Sequence, residues 1–436
     1  MNIGLAFETP AAPLSGVDLT RQRRTQRLVD SHLRRRGRPD HDSVVVAGNG
    51  IGALSFAARL ARSPEFAGRV TVVAPPIAES RRLINGVSLR GRAADYICAA
   101  LGVTHARLLS EICGGEAGGL TANRQTAAMA YAGAGGAWQF TRPGAWQGGA
   151  AGSARPIVYG TRNSRITGAM WSLMTELGIR YVPEKAESAD QLRAMAAGSA
   201  PLLVNATVNG RLLGAAAPPP TRMVLATQVP FTVAAGGLRR PAEPQTAFAP
   251  LVRRDGAVDV GYFTPFRDPA SPQATWYGII ARVVDTAARV DKDSELSTMT
   301  DELYGIGAAL GLEPHDPEET LGRAMVPASP VRAPGPSAPG TLELKRAYSV
   351  GAPCYYADGM ISAGLGGLLA AEAVIRGDDP DRAIRHATRA LRWHNYLWWL
   401  ETTRIPLATD LLMRLNVNLA MAYPHSAGFR LWAASA

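Results

Sequence analysis

The sequence contains little cysteine, and the cysteines it has are far apart. Cys98, Cys113 and Cys354 are the three that occur among 436 residues. Such spacing fits neither a zinc site nor a disulfide framework. A reducing compartment is therefore expected, and the cytoplasm is the simplest one.

Long apolar runs are also missing. No stretch reaches the roughly 18 apolar residues that a membrane-spanning helix needs. The N-terminus, MNIGLAFETPAAP, lacks the basic region and apolar core of a secretion signal. With 47% hydrophobic and 19% charged residues, the composition predicts a globular chain of two or three domains without a transmembrane segment.

Lysine is scarce, at positions 185, 292 and 345, so the net charge of +10 comes from arginine. Eight arginines fall between Arg21 and Arg38, in RQRRTQRLVDSHLRRRGR. Such a block is typical of a solvated or partly disordered arm, and an arm that docks on a partner protein or polyanion is the alternative. No motif with interleaved aromatics accompanies it, so nucleic-acid binding is not expected.

Motifs of metal and hydrolase chemistry are absent too. The seven histidines show no H-E-x-x-H or other ligand spacing, so no metal site is expected. The G-x-S-x-G elbow of a serine hydrolase does not occur.

What the sequence does contain is a glycine turn between a strand and a helix, in SVVVAGNGIGALSFAARLAR (43–62). A second apolar strand follows in RVTVVAP, which completes a βαβ unit. The pattern matches the dinucleotide fingerprint G-x-G-x-x-A, whose glycines permit a tight turn and a close approach of the backbone to a pyrophosphate. The fingerprint residues are Gly48, Gly50, Gly52 and Ala53.

The acid that usually binds the ribose is missing from the second strand. Ala74 and Pro75 stand where Asp or Glu is expected, and Glu79 comes slightly too late. This departure argues against a simple NAD-dependent dehydrogenase.

A second glycine-rich segment, CYYADGMISAGLGGLLAAEAVIRG, lies about 300 residues later. We read it as a strand ending at an aspartate, a glycine turn and a helix over 368–375. A glycine turn near the start and an Asp-Gly turn near the end are typical of proteins that hold an extended FAD. The predicted contacts at this end are Asp358, Gly359, Gly364, Gly366 and Gly367.

Together these segments resemble the FAD-dependent monooxygenases of the p-hydroxybenzoate hydroxylase and styrene monooxygenase superfamily. SLRGRAADYICAALGV and VYGTRNSRITGAMWSLMTELGIRYV carry the resemblance further, and it covers roughly residues 43–382. It implies that Thr161, Arg162 and Arg165 lie near the flavin. It also implies that Arg82, or its neighbour Arg81, reaches the phosphates or ribose of the cofactor.

The chain departs from this family at two places. Asn209-Gly210 stands where one-component hydroxylases carry Asp-Gly, which argues against direct use of NADPH and favours a separate flavin reductase. The final glycine segment is shorter than in the hydroxylases, as in amine-oxidase-like and prenyl-reductase-like flavoproteins. The Trp-x-Trp-x-Ile-Pro signature of flavin halogenases is absent.

The fold class that follows is α/β, with a Rossmann-like FAD-binding domain of the glutathione-reductase type, an inserted antiparallel β substrate domain and C-terminal helices. Residues 113–156, rich in glycine and alanine, are expected to be irregular. The expected organisation is a basic arm (1–42), FAD-binding parts (43–118, 155–220 and 341–385), substrate-domain parts (119–154 and 221–340) and a helical tail (386–436).

The resemblance implies monooxygenation, by hydroxylation or epoxidation of an apolar or aromatic small molecule through a flavin C4a-hydroperoxide, in biosynthetic tailoring. Molecular oxygen is the co-substrate, and NAD(P)H supplies electrons directly or through a reductase. The alternative is an FAD-dependent dehydrogenase, oxidase or prenyl-reductase-like enzyme that transfers hydride without inserting oxygen. A non-catalytic FAD-binding subunit is a third hypothesis.

Substrate contacts are predicted among the aromatic residues. Tyr262 and Phe263 fall on the β-rich segment, and Trp398 falls in the aromatic cluster WHNYLWWLETT of the tail. Packing in a core or at a partner interface is the alternative for each. No catalytic acid or base is apparent from the sequence.

Overall fold

The structure is a computed structural model, and it describes residues 16–34, 37–76, 86–113, 121–132, 138–140, 157–207, 212–213, 222–234, 245–252, 258–265, 276–285, 291–309, 311–315, 322–328, 337–344 and 359–387. Its helices are α1 (Gly16–His32), α2 (Ile51–Ala61), α3 (Gly91–Leu101), α4 (His105–Ile112), α5 (Asn163–Met174), α6 (Ala189–Ala194), α7 (Lys292–Ala309), α8 (Gly359–Ile375) and α9 (Pro380–Ala387).

The strands form two sheets. They are β1 (Ser43–Ala47), β2 (Val70–Val73), β3 (Gly86–Arg90), β4 (Thr121–Ala132), β5 (Trp138–Phe140), β6 (Ile157–Arg162), β7 (Arg180–Val182), β8 (Pro201–Asn205), β9 (Arg222–Val233), β10 (Gln245–Val252), β11 (Val258–Pro265), β12 (Trp276–Asp285), β13 (Leu312–Pro314), β14 (Gly322–Ala328) and β15 (Thr341–Leu342).

The first sheet is parallel, in the order β15-β8-β1-β2-β7. β1 and β2 are buried on both faces, as their runs of β-branched residues predict. Val44 and Val46 contribute to a core with α2 and α8, whereas Val45 and Ala47 pack on the opposite side with Leu192 of α6. The strand order reverses direction at β1, and in open α/β sheets such a switch point is where ligands bind.

The second sheet is mostly antiparallel, in the order β13-β9-β12-β11-β10-β4-β6-β3. β14 also pairs with β9, β5 pairs with β4, and the pairing of β10 with β4 is parallel. The prediction of an antiparallel sheet beside the parallel one is therefore confirmed. At one edge, β3 runs directly into α3 and β6 runs directly into α5, which connects this sheet to the helices around the parallel sheet.

The expectation of irregular structure over 113–156 is wrong for the described part of that segment. β4 pairs with β6, β10 and β5, so it gains ladder hydrogen bonds on both edges. Alanine has a weak intrinsic preference for strands, and long-range pairing overrides it here.

α7 covers one face of the second sheet through a separate apolar core. Phe231 of β9 and Phe263 of β11 meet there with ring centroids 5.4 Å apart. The same face carries Arg282, which is 1% exposed and whose Nη2 lies 2.5 Å from Asp259 Oδ2 and 2.6 Å from Glu302 Oε2. Burial disfavours a charged guanidinium, but the hydrogen bonds and charges of these carboxylates raise the pKa of Arg282 above its ordinary value.

The predicted solvated arm is also wrong for residues 16–34. They form α1 and the turn after it, and Val29 and Leu33 are buried in the core of the parallel-sheet domain. Arg376, the residue after α8, lies 2.9 Å from Asp30, and the backbone N–H of Arg34 donates to Asp378 at 2.9 Å. The buried positions Thr25, Val29 and Leu33 recur every four residues, so the helix buries one face despite its many arginines.

Candidate functional site

The site predicted from the sequence lies at the turn between β1 and α2. Gly48 has φ +124°, and a Cβ placed there would lie 3.0 Å from the carbonyl oxygen of Ala206 at the end of β8. The N–H of Gly48 donates to Val73 O of β2 at 2.9 Å. The turn is therefore held tightly between the ends of two neighbouring strands, and glycine is needed at its first position.

The next position of the turn is open. Gly50 is the N-cap of α2, with φ −76° and ψ 167°, and no described side chain caps the helix. A Cβ at Gly50 would meet no atom of the described residues within 4 Å. The first N–H groups and the positive end of the helix dipole therefore face an accessible space, which suits a phosphate group.

At the end of β2, where a ribose-binding acid was expected, the backbone carbonyls of Ala74 and Pro75 accept hydrogen bonds. Tyr181 Oη of β7 donates to Ala74 O at 3.0 Å, and Asn49 Nδ2 donates to Pro75 O at 2.9 Å. Trp171 packs beside Tyr181 with ring centroids 4.8 Å apart. Sequence reasoning missed these side chains, although Asn49 lies inside the glycine turn and could have been found there.

The end of β8 carries a second pair that the sequence did not suggest. Asn205 is fully buried, and its Nδ2 donates to Glu343 Oε2 at 3.0 Å. Asn205 Oδ1 accepts from the Thr207 N–H at 3.0 Å and from its hydroxyl at 2.8 Å. These bonds fix the carboxyl edge of the sheet beside the switch point.

The junction of β6 and α5 holds the residues assigned to the flavin by resemblance. Thr161 is 1% exposed, and its Oγ1 forms no hydrogen bond with any described group. Arg162 is the N-cap of α5, and Arg165 lies partly exposed in its first turn. A buried hydroxyl without a partner costs about 1–3 kcal/mol, which makes Thr161 a candidate to contact a ligand.

The C-terminal glycines lie in a helix, which corrects the predicted turn. α8 begins at Gly359, so Gly364, Gly366 and Gly367 fall inside it. A Cβ at Gly367 would lie 2.4 Å from Gly52 O of α2, and a Cβ at Gly364 would lie 3.4 Å from Tyr96 Cβ of α3.

These glycines therefore allow α8 to approach α2 and α3 closely. A spacing of glycines alone does not distinguish a turn from such a helix contact. Gly52 and Ala53 lie in the first turn of α2, and α2 and α8 share one core.

Several predicted residues cannot be placed. Arg81, Arg82, Asp358, Asn209, Gly210 and Trp398 lie outside the described residues, as does the tail beyond residue 387. The backbone of Tyr262 is described in β11 but its side chain is not. Phe263 is fully buried against Phe231 in the α7 core rather than at an open surface.

The described part of the chain has neither a metal-binding cluster nor a membrane-spanning helix. It contains no group of three or more metal-ligating side chains arranged to hold an ion. None of its helices combines the length and the apolar character needed to cross a membrane.

Comparison with known proteins gives matches among solved structures. Neither a protein-family model nor a curated protein sequence matches this chain. A protein of Photorhabdus luminescens assigned as an FAD-containing monooxygenase is similar at a TM-score of 0.51, with 13% identity over 84% of this chain and 98% of that chain.

FqzB is similar at a TM-score of 0.50, with 12% identity over 92% of this chain and 96% of that chain. HpxO of Klebsiella pneumoniae, in complex with FAD, is similar at a TM-score of 0.48, with 13% identity over 90% of this chain and 97% of that chain. The first two matches confirm the sequence-based resemblance at the level of the fold. This chain has the fold of FAD-containing monooxygenases.

Proposed function

We propose that this protein is an FAD-dependent monooxygenase that hydroxylates or epoxidises an apolar or aromatic small molecule. The observation that carries the proposal is the open, uncapped N-terminus of α2 at Gly50, at the switch point of the parallel sheet. The shared fold supports the reaction class, because one of the similar proteins is assigned as an FAD-containing monooxygenase.

The residues of the site fit FAD in three respects. The space at Gly50 leaves room for a pyrophosphate, which Gly48, Gly52 and Ala53 would flank. The buried hydroxyl of Thr161 is free to donate to the cofactor. Arg162, Arg165 and Arg82 would balance its negative charge, and Asp358, which precedes Gly359 in the sequence, would accept from the ribityl chain. A Rossmann-like domain of the glutathione-reductase type is the fold subtype that accompanies this proposal.

When bound, FAD supplies the activation of molecular oxygen, with one oxygen atom entering the product and the other leaving as water. The chain's own part is to orient the cofactor and to exclude water from the reacting groups. The N–H groups at the start of α2 would stabilise the negative charge of the pyrophosphate. The hydroxyl of Thr161 would donate a hydrogen bond to the cofactor and so help to fix its position. No side chain is proposed as a catalytic acid or base.

The substrate is proposed to lie on the face of the antiparallel sheet that points away from α7. Phe263 and Ile280 pack toward α7, so the alternate position Ile279 lies on the opposite face. The register between β11 and β12 pairs the backbone of Tyr262 with that of Ile279. An apolar and aromatic face of this kind suits an apolar or aromatic substrate. Trp398 of the tail is a further proposed contact.

NAD(P)H is the proposed electron source, either directly or through a separate flavin reductase. Asn209-Gly210 in place of Asp-Gly favours the reductase. A cytoplasmic location and a role in biosynthetic tailoring belong to the same proposal, and the widely spaced cysteines support the location.

The test begins with the purified protein and FAD. The visible spectrum should show bound flavin, and the flavin should be reduced anaerobically before aromatic test compounds and isotopically labelled oxygen gas are added. A product heavier by one labelled oxygen atom is expected. Oxidation of the compound without label would favour hydride transfer, and a flavin that reductants never reach would favour a non-catalytic subunit.

A further inference from the structure

A groove lies between α1 and α3. Its volume is about 290 Å³, and Arg24 and Arg27 of α1 and Tyr96 of α3 line it. Ligand pockets usually start at about 300 Å³, so the groove has room for a small organic group in addition to an ion.

The two arginines are positive charges with no ion-pair partner in the described part of the chain. Both are exposed and lie three residues apart, on neighbouring positions of one helix surface. No carboxylate of the described residues forms an ion pair with either. Other arginines of this region are compensated, since Arg376 pairs with Asp30 and Arg59 pairs with Glu372. The groove therefore attracts an anion.

Tyr96 is a second, independent feature of the groove. It is only 6% exposed, yet no hydrogen bond to its hydroxyl is formed by any group in the described ranges. Burial raises the pKa of this phenol to about 12, and the charge of nearby Arg24 partly opposes the increase. The hydroxyl therefore keeps its proton and is available as a donor.

The acidic group of the groove is already occupied. Asp95 Oδ1 lies 2.7 Å from His105 Nε2 and 3.7 Å from Arg21 Nε. The hydroxyl of Ser31, also at the groove, donates to Leu28 O at 2.8 Å. The negative charge of Asp95 is thus offset by its neighbours, and Arg24 and Arg27 make the remainder of the groove positive.

We propose that this groove binds the phosphate group of a small soluble ligand, with Arg24, Arg27 and Tyr96 as its donors. Donors on two helices match the several oxygens of a tetrahedral phosphate better than the two oxygens of a planar carboxylate. None of the residues that line the groove is assigned to FAD, and the proposal does not depend on that assignment.

Inorganic pyrophosphate is the probe, titrated calorimetrically into the full-length protein at low salt. One saturable site is expected. Arg27→Gln should weaken binding about tenfold or more, because it removes charge-assisted hydrogen bonds, and Tyr96→Phe about threefold. Arg23→Gln is the matched control, since Arg23 is exposed on the same helix but does not line the groove. It should change affinity less than about twofold.

Three results would overturn the proposal. One is the absence of saturable binding. Another is an equal loss of affinity in Arg23→Gln and Arg27→Gln, which would indicate attraction by the general charge of α1. The last is loss of pyrophosphate binding once FAD is bound, which would place the probe in the cofactor site. Circular dichroism of each variant checks that it is folded.

Discussion

Replacing Gly50 with alanine should weaken FAD binding while leaving the apoprotein nearly as stable as before. The φ of −76° is allowed for alanine, and the added methyl would touch none of the described atoms within 4 Å. Alanine is a poorer N-cap than glycine, so the free energy of unfolding should fall by less than about 1 kcal/mol. The same methyl would stand where the pyrophosphate must approach the backbone.

The loss of affinity follows from the hydrogen bonds that a displaced pyrophosphate gives up. Each bond from a helix N–H to a charged phosphate contributes about 1.5–3 kcal/mol, so losing one weakens FAD binding roughly tenfold to a hundredfold. Quenching of flavin fluorescence measures the affinity, and urea denaturation of the apoprotein measures stability. An unchanged FAD affinity in Gly50→Ala would refute the assignment of this space to the cofactor.

Two further glycines serve as comparisons. Gly48→Ala combines a φ of +124° with a contact of 3.0 Å to Ala206 O, so it should destabilise the apoprotein itself by about 1–3 kcal/mol. Gly168→Ala adds a methyl inside α5 that meets no described atom within 4 Å, and it should stabilise the helix by up to about 1 kcal/mol without changing FAD affinity.

The remaining predictions concern stability. Gly367→Ala places a Cβ 2.4 Å from Gly52 O, a backbone atom, so the urea midpoint should fall by the equivalent of about 1–3 kcal/mol; an unchanged midpoint would contradict the close helix contact. Arg282→Met leaves the buried Asp259 without its cation and should cost about 3–5 kcal/mol, measured by thermal unfolding, whereas a neutral result would show that the carboxylates simply take up protons. Burial favours the neutral form of Asp378, but hydrogen bonds from two backbone N–H groups and the charge of Arg382 lower its pKa. Its stabilisation is then present above about pH 4 and lost as the pH falls through the folded pKa, so the stability difference between the wild type and Asp378→Asn should shrink in acid; a constant difference would argue against it.

Local patterns were enough to predict the turn at Gly48 and the strand–helix–strand unit around it. β-branched runs and a glycine turn act within a few residues, so no long-range information is needed.

The failures come from contacts between distant segments. Because α1 contains many arginines, a solvated arm was predicted for it. Thr25, Val29 and Leu33 recur every four residues, close to the helical period, and this spacing was the signal that one face of the helix is buried. β4 is alanine-rich and becomes a strand only through its neighbours in the sheet. Whether Gly367 serves a turn or a helix contact depends on α2, more than 300 residues earlier.

The apolar core beneath α7 and the core around α2 and α8 share no residue. The backbone junctions at 90–91 and 162–163 connect the two units. Substitutions in β9, β11 and β12 should therefore combine additively with substitutions around α2, because distant sites without shared partners rarely couple. Substitutions could therefore accumulate in the unit beneath α7 while the packing of the unit around α2 and α8 stays unchanged.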